Sequence, residues 1–147
     1  MIIVLFGQPH SGKTTLANAL IKEGQFGYAK HIDGDELRDI FNNKDFSRDG
    51  RIKNLNRASD IARYLEKTET DVILSLVYPY KEARDYLNNL TADVKWIYLH
   101  YEGERGREQF HVKDFELDLV QENVWTLKTS ELSIEECIKQ INTYINE

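Results

Sequence analysis

Residues 7–14 read Gly-Gln-Pro-His-Ser-Gly-Lys-Thr and follow directly on the apolar run at residues 2–6. They match the pattern G-x-x-x-x-G-K-[ST] at every fixed position, with a buried strand expected before them and a helix after them. The two fixed glycines let the backbone curl so that successive N–H groups face phosphate oxygens, and the helix adds its positive N-terminal end. Because pattern and context agree, we interpret this stretch as the phosphate-binding loop of a nucleoside triphosphate site, rather than as a chance turn.

The chemistry of such a loop assigns a role to each fixed side chain. We expect Lys13 to reach the β- and γ-phosphates as a mobile cation and to serve catalysis, and the hydroxyl of Thr14 to ligate Mg²⁺. The residues expected to bind the nucleoside triphosphate are Gly7, Gln8, Pro9, His10, Ser11, Gly12, Lys13, Thr14 and Thr15.

Composition limits the classes of partner. The chain has 147 residues, of which 41% are hydrophobic and 30% charged, with a net charge of −6. The length suits one domain with a proper core. The net negative charge argues against non-specific electrostatic binding to nucleic acid or to an anionic membrane. The same net charge is compatible with a local basic pocket, which clustered arginines would form.

Several features favour a cytoplasmic protein. Cys137 is the single cysteine, so an internal disulfide is excluded and a reducing compartment fits best. No apolar run reaches the length of a membrane span. Met1 leads directly into the first apolar run, which leaves no room for a signal peptide.

Apolar runs alternate with helical patterns, as is typical of a parallel sheet covered on both faces. We therefore predict an α/β, three-layer fold with a mostly parallel sheet of about five strands, in one domain over residues 1–147. The predicted strands are residues 2–6, 28–32, 72–77, 94–100 and 123–127, and the predicted helices are residues 12–22, 36–41, 51–67, 82–90 and a last helix starting at 133.

The last helix and the segment before the fifth strand carry further signals. Ser133 and Glu136 form a capping-box pattern. Ile134, Ile138, Ile141 and Ile145 are expected to be the buried stripe of this helix, with Cys137 in the core. Residues 101–118 are highly charged and contain two glycines, which indicates a lid-like segment.

Asp33-Gly34-Asp35 follows the predicted second strand, where ligands bind in open α/β sheets. Two carboxylates at this edge can serve Mg²⁺ or accept a hydrogen bond or proton from a substrate hydroxyl, so both are candidate catalytic residues and Asp33 a candidate metal ligand. The alternative is a helix cap, with Asp35 as the capping residue.

A group of basic and aromatic residues follows the two carboxylates in the sequence. Arg51, Asn54 and Arg57 recur at three-residue steps and should share a helix face, with Arg38 and Phe46 just before them. Arginine forks match phosphate and sulfate oxygens, and an aromatic ring could stack on a purine. A solvated face with surface ion pairs is the alternative.

Two more segments are candidates for closing the site. Pro79 fixes a turn that we expect to aim Val77 and Tyr78 into the cleft, although a plain strand-to-helix connection is the alternative. In the lid-like segment the candidates are Arg105, Arg107, Lys113 and Phe115, which could close over the bound nucleotides, or else lie on an exposed charged loop.

Together these stretches resemble the adenylylsulfate kinase family, whose members phosphorylate the 3′-hydroxyl of adenosine 5′-phosphosulfate (APS) with ATP. The similarity covers most of the chain. The matching stretches are residues 7–15, the Ile32-Asp-Gly-Asp-Glu-Leu-Arg38 motif, Phe46-Ser47 with residues 51–57, residues 72–84, the Val112-Lys-Asp-Phe115 element and the Leu132-Ser-Ile-Glu-Glu-Cys137 helix start.

The resemblance implies ATP and Mg²⁺ as cofactors, APS as acceptor and a homodimer. Asp33 or Asp35 would support Mg²⁺ and the acceptor hydroxyl. Among the candidates of the lid-like segment, we expect Arg107 to contact ATP. The residues implied to bind APS are Asp35, Arg38, Phe46 (on the adenine), Arg51, Asn54, Val77 through its backbone, and Lys113 and Phe115 from the lid.

This chain also departs from the family pattern. Tyr78 replaces the family's serine before the proline, the lid is short, and Glu116-Leu117 replaces a threonine-glycine pair. Two alternatives therefore stay open. One is a kinase for another small hydroxyl acceptor, such as a nucleoside or a polynucleotide 5′-end. The other is a catalytically weak nucleotide-binding switch.

Overall fold

The structure, a computed structural model, describes residues 1–23, 25–102, 112–116 and 123–146. A five-stranded parallel sheet with strand order β2-β3-β1-β4-β5 forms its centre. The elements in chain order are β1 (Ile2–Phe6), α1 (Lys13–Lys22), β2 (Lys30–Asp33), α2 (Gly34–Phe41), α3 (Arg48–Lys67), β3 (Val72–Ser75), α4 (Lys81–Leu90), β4 (Val94–His100), β5 (Val124–Lys128) and α5 (Ile134–Ile145). The predicted α/β fold with about five parallel strands is confirmed.

The central strand β1 is buried on both faces, which makes the fold three-layered. Val4 and Phe6 pack with Leu55 of α3 and Leu87 of α4 on one face. Residues Ile3 and Leu5 face the other way and pack with α1 and α5. Alternate residues of a strand point to opposite faces, so a strand covered on both sides reads as a continuous apolar run.

Strands β1, β2 and β3 end at the same edge of the sheet, because parallel strands share their direction. The phosphate-binding loop, the Asp33 region and the turn after β3 are thereby brought together. The cleft described below lies at this edge.

The structure corrects two element starts, and in both cases an N-cap is the reason. Helix α3 begins at Arg48 rather than 51, because the Ser47 side chain accepts a hydrogen bond from the N–H of Gly50. Helix α2 begins at Gly34 because Asp33, not Asp35, is its cap. Capping side chains satisfy N–H groups that have no partner inside the helix.

The strand limits shift by two residues at most. Strand β2 begins at Lys30 rather than at 28, β3 ends at Ser75 rather than at 77, and β5 covers Val124–Lys128. Within the described ranges, no helix has both the length and the apolar character that crossing a membrane requires.

Helix α5 confirms its predicted cap but not all of its predicted stripe. Both hydrogen bonds of the Ser133–Glu136 capping box are present. Cys137 is buried, as expected, together with Ile141 and Ile145. Ile134 is 48% exposed, so its assignment to the stripe was wrong. The buried stripe follows four-residue steps from Cys137, and Ile134, which opens the first turn, lies off it.

Candidate active site

A cleft of about 1020 Å³ lies at the carboxyl edge of the sheet and joins most of the predicted site residues. Its walls come from the phosphate-binding loop, from the start of α2, from α3 and from the turn after β3. The lining residues are Pro9, His10, Gly12, Lys13, Thr14, Thr15, Asp33, Gly34, Asp35, Arg38, Phe46, Arg51, Asn54, Leu55, Ser75, Leu76, Val77, Pro79 and Val112.

The two fixed glycines of the loop are required by its backbone. Gly7 has φ +148°, and a Cβ there would lie 2.5 Å from the carbonyl oxygen of Leu99. Gly12 has φ +101°, with open space where its Cβ would be. Side-chain-bearing residues rarely adopt either conformation, so the curled loop depends on glycine at both positions. The space above Gly12 fits the approach of a phosphate.

Lys13 is held inside this loop. Its side chain is nearly buried, at 8% exposure, and its Nζ donates to the carbonyl oxygens of Gly7 (3.1 Å) and Gln8 (2.7 Å). Burial lowers the pKa of Lys13 to about 8, although the negative charges of Asp35 and Asp33 act to raise it. The ammonium is therefore charged at neutral pH, and phosphate oxygens would be stronger partners for it than these neutral carbonyls.

Asp33 is the hydrogen-bonding centre of the cleft floor. Its Oδ1 accepts from the hydroxyls of Thr14 (2.8 Å) and Ser75 (3.1 Å), and its Oδ2 accepts from the backbone N–H groups of Asp35 and Glu36. The Ser75 hydroxyl in turn lies 2.6 Å from Nε2 of His31. These contacts fix the carboxylate next to the Thr14 hydroxyl.

This oxygen pair fits a magnesium ion. Mg²⁺ prefers oxygen ligands and is usually held by one or two protein groups, with substrate phosphates and water completing the shell. Among the described residues no group of three His, Cys, Asp or Glu side chains could form a complete metal cage. Thr14 and Asp33 would thus be the protein's part of such a site.

The opposite half of the cleft is cationic and aromatic. The guanidinium of Arg38 lies over the ring of Phe46, 4.1 Å from its centre, and donates to the carbonyl oxygen of Asp45. Arg51 lies in the same half and approaches Asp114, with 4.0 Å between Nη1 and Oδ1. Burial and the charge of Arg51 lower the pKa of Arg38. Two close guanidinium groups favour an anionic ligand.

Asn54 adds an unsatisfied group to this half. It is only 4% exposed and lines the cleft. Its Nδ2 donates weakly to the carbonyl oxygen of Gly34, at 3.5 Å, but its Oδ1 has no hydrogen-bond partner in the part of the chain that the structure describes. Buried polar atoms are rarely left unpaired, so this oxygen indicates the place of a ligand donor.

Several predicted residues do not line the cleft. Gly7 and Ser11 are buried, Gln8 is half-buried, and Lys113 is exposed. Phe115 packs on the core beside Tyr98, with 6.0 Å between ring centres. The predicted ATP contact Arg107 and the flap candidate Arg105 lie outside the described residues. The ligand roles of these residues stay predictions.

Arg57 also lies away from the cleft lining. Its guanidinium stacks on the ring of Phe41, 4.4 Å from the ring centre. The shared helix face expected for Arg51, Asn54 and Arg57 therefore brings only Arg51 and Asn54 into the cleft.

The turn after β3 corrects one expectation. Val77 lines the cleft, but Tyr78 is fully buried in the core. Its hydroxyl lies 2.8 Å from Oγ of Ser59, and its ring meets Trp96 edge-on. Burial raises the pKa of Tyr78. A φ of +44° turns the residue away from the cleft, and burying a large ring whose hydroxyl is paired is favourable.

Sequence reasoning missed several residues of the cleft lining. Leu55 and Leu76 read as ordinary core positions, and Ser75 as part of a strand. For Val112, the sequence offered one indication of a place in the site, since it is the apolar residue that begins the Val-Lys-Asp-Phe element.

Comparisons with known proteins give matches to kinases. A family model described as Adenylylsulphate kinase matches residues 1–109. A probable adenylyl-sulfate kinase of Aeropyrum pernix is 37% identical in an alignment of 98 residues that covers 63% of this chain and 52% of that protein. A cytidine diphosphoramidate kinase of Campylobacter jejuni is 32% identical over 100 residues, which are 67% of this chain and 59% of that protein. This chain thus spans little more than half the length of these curated relatives.

A solved structure supports the fold. The Mycobacterium tuberculosis APS kinase CysC in complex with AMPPNP and APS matches with a TM-score of 0.78 at 18% identity, covering 99% of this chain and 97% of that one. At this level of identity the likeness concerns the fold alone. The family model, in contrast, covers most of the sequence, including the phosphate-binding loop, the Asp33 region and the arginine-bearing helix. This chain therefore belongs to the adenylylsulphate kinase family.

Proposed function

We propose that this chain is an ATP-dependent kinase that transfers the γ-phosphoryl group to the 3′-hydroxyl of APS, giving 3′-phosphoadenosine 5′-phosphosulfate. One observation carries the proposal. A single cleft joins a phosphate-binding loop to a second half built from Arg38, Phe46, Arg51 and the Oδ1 of Asn54, which has no hydrogen-bond partner among the described residues. Such an arrangement suits a donor triphosphate and an anionic aromatic acceptor together.

The donor half would bind ATP through the backbone of residues 7–15. Lys13 would exchange its two carbonyl partners for phosphate oxygens and neutralise the charge on the transferring group. Thr14 and Asp33 would hold Mg²⁺, which supplies charge neutralisation when bound. Arg107 is retained here as a proposed ATP contact.

The acceptor half would hold APS by stacking and charge. Phe46, already covered on one side by Arg38, offers a ring face to the adenine. Arg51 would bind the phosphosulfate, and Asn54 would accept a hydrogen bond from the ligand. Val77 would contribute backbone contacts, and we keep Lys113 and Phe115 as proposed contacts from the lid-like segment.

The carboxylates of Asp33 and Asp35 would have separate roles. Asp33 already accepts four hydrogen bonds, which hold its carboxylate beside Thr14 at the proposed magnesium site. Asp35 is exposed in the cleft and would orient the acceptor hydroxyl. No covalent enzyme intermediate is needed, since positioning and charge stabilisation are sufficient for phosphoryl transfer.

A second candidate is a kinase for a different anionic nucleotide. The similarity to a cytidine diphosphoramidate kinase favours it, as does Tyr78 in place of the family's serine. We further propose a single domain, a cytoplasmic location and a homodimer, the last on the family resemblance alone.

The test measures ADP release by the purified chain in the presence of ATP and Mg²⁺. The reaction is run without an acceptor, with APS, and with cytidine diphosphoramidate. We expect ADP release to depend on APS. Turnover only with the cytidine nucleotide would support the second candidate. Tight ATP binding without turnover on either acceptor would instead support a nucleotide-binding switch.

A further inference from the structure

Residues 112–116, here called the strap, are joined to the phosphate-binding loop by one side chain. Nε2 of Gln8 donates to the carbonyl oxygen of Val112 at 2.9 Å, and the N–H of Val112 donates to Oε1 of Gln8 at 2.8 Å. The side-chain amide thus pairs with both backbone groups of one residue, 104 positions along the chain. Such a two-point contact fixes orientation as well as distance.

Gln8 links the strap to Lys13, the lysine of the phosphate-binding loop. Its backbone carbonyl accepts from Nζ of Lys13 at 2.7 Å, while its side chain holds Val112. The side chain itself does not line the cleft, whereas Val112 does, at 4% exposure. The motif leaves this loop position variable, so glutamine is a property of this chain and not a demand of phosphate binding.

The other end of the strap is tied to the acceptor half. Oδ1 of Asp114 accepts from the hydroxyl of Tyr80 at 3.1 Å and lies 4.0 Å from Nη1 of Arg51. The N–H of Glu116 donates to the carbonyl oxygen of Pro79 at 2.8 Å. The strap therefore contacts the phosphate-binding loop through Val112 and approaches, through Asp114, the arginine proposed to bind the acceptor anion.

We propose that Gln8 is a positioning residue that fixes the strap over the phosphate-binding loop and, through Asp114, sets the position of Arg51 for the acceptor. The inference rests on the proposed function, because it assumes that two substrates share the cleft. Gln8 then affects binding of the acceptor, although its place in the phosphate-binding motif suggests an effect on the donor nucleotide.

Three variants test the contact itself. Gln8→Leu removes both hydrogen bonds, Gln8→Glu keeps only the acceptor for the N–H of Val112, and Gln25→Leu is the matched control at an exposed glutamine. Exchange of the Val112 amide hydrogen should be about tenfold faster in Gln8→Leu, closer to wild type in Gln8→Glu, and unchanged in Gln25→Leu. Unchanged exchange in a folded Gln8→Leu would overturn the proposal.

Steady-state kinetics test the link to the acceptor. Gln8→Leu should raise the KM for APS about tenfold and leave the KM for ATP within about twofold. A rise in the KM for ATP alone would make Gln8 an ordinary donor-site residue and overturn the proposed coupling. A wild-type chain inactive on APS would remove the proposed function only. The exchange measurement needs no substrate and would still decide whether Gln8 holds the strap.

Discussion

Lys13 is the residue on which phosphoryl transfer would depend most directly. Its ammonium is nearly buried, and that burial lowers its pKa to about 8. We expect Lys13→Ala to reduce kcat/KM by at least about a thousandfold, because a charge placed at the transferring group is lost. The variant should stay folded, since a charge that is costly to bury is removed. Lys22→Ala, at the exposed end of α1, is the control, and turnover by Lys13→Ala close to wild type would contradict the assignment.

Arg51 and Arg57 form a matched pair on helix α3. Only Arg51 lines the cleft, while Arg57 stacks on Phe41. We expect Arg51→Ala to raise the KM for APS by about tenfold or more, with little change for ATP, because an arginine fork to an anion is lost. Arg57→Ala should leave both KM values near wild type. Equal effects of Arg51→Ala on both substrates would rule out an acceptor-site role.

Tyr78 gives a prediction for stability against pH. Burial raises its pKa above the value of about 10 of an exposed tyrosine, so the unfolded chain loses this proton first as pH rises. Its stabilising contribution is therefore present below about pH 10 and falls above it, by up to about 1.4 kcal/mol per pH unit.

Urea unfolding at pH 8 and pH 11 measures this contribution. At the lower pH, Tyr78→Phe should be less stable than wild type by about 1 kcal/mol, because the bond to Ser59 is lost. At the higher pH this difference should shrink or reverse. Tyr28→Phe, at a fully exposed ring, should leave the pH dependence of wild type unchanged. A constant difference between Tyr78→Phe and wild type would contradict the burial of an un-ionised hydroxyl.

At the scale of elements, the cap of α3 connects stability to the site. Ser47 caps the helix that carries Arg51 and Asn54, whereas Ser133 caps α5, which contributes no residue to the cleft lining. Each serine-to-alanine change should lower the free energy of unfolding by about 1 kcal/mol. Only Ser47→Ala should also raise the KM for APS. Chemical denaturation and kinetics on both variants check this, and equal KM changes would show that the cap has no local effect on the site.

Strong periodic or apolar patterns were enough to predict most elements. The continuous apolar run of β1 and the capping box of α5 both identified their elements, since burial on two faces and cap chemistry are local properties. The start of α3 was placed three residues late, because the cap at Ser47 precedes the periodic apolar residues. The burial of Tyr78 escaped prediction because it depends on Ser59 and Trp96, which lie far away in the sequence.

At the scale of the whole molecule, the site was predictable where the motif fixes both residue and place. The phosphate-binding loop and Asp33 meet at one sheet edge because parallel strands end together. The strap was predicted only as part of a lid-like segment. Its contact with Gln8 joins residues 104 positions apart and follows from no local pattern.

The position of the transferred phosphate tests the central claim most directly. The chain is incubated with Mg²⁺, APS and ATP labelled in its γ-phosphate, and the product is identified by phosphorus NMR and mass spectrometry. We expect one phosphate monoester on the 3′ oxygen of APS for each ADP formed, and none detectable with Lys13→Ala. ATP consumed without that ester, or labelled phosphate found only on a different nucleotide, would contradict the proposed reaction.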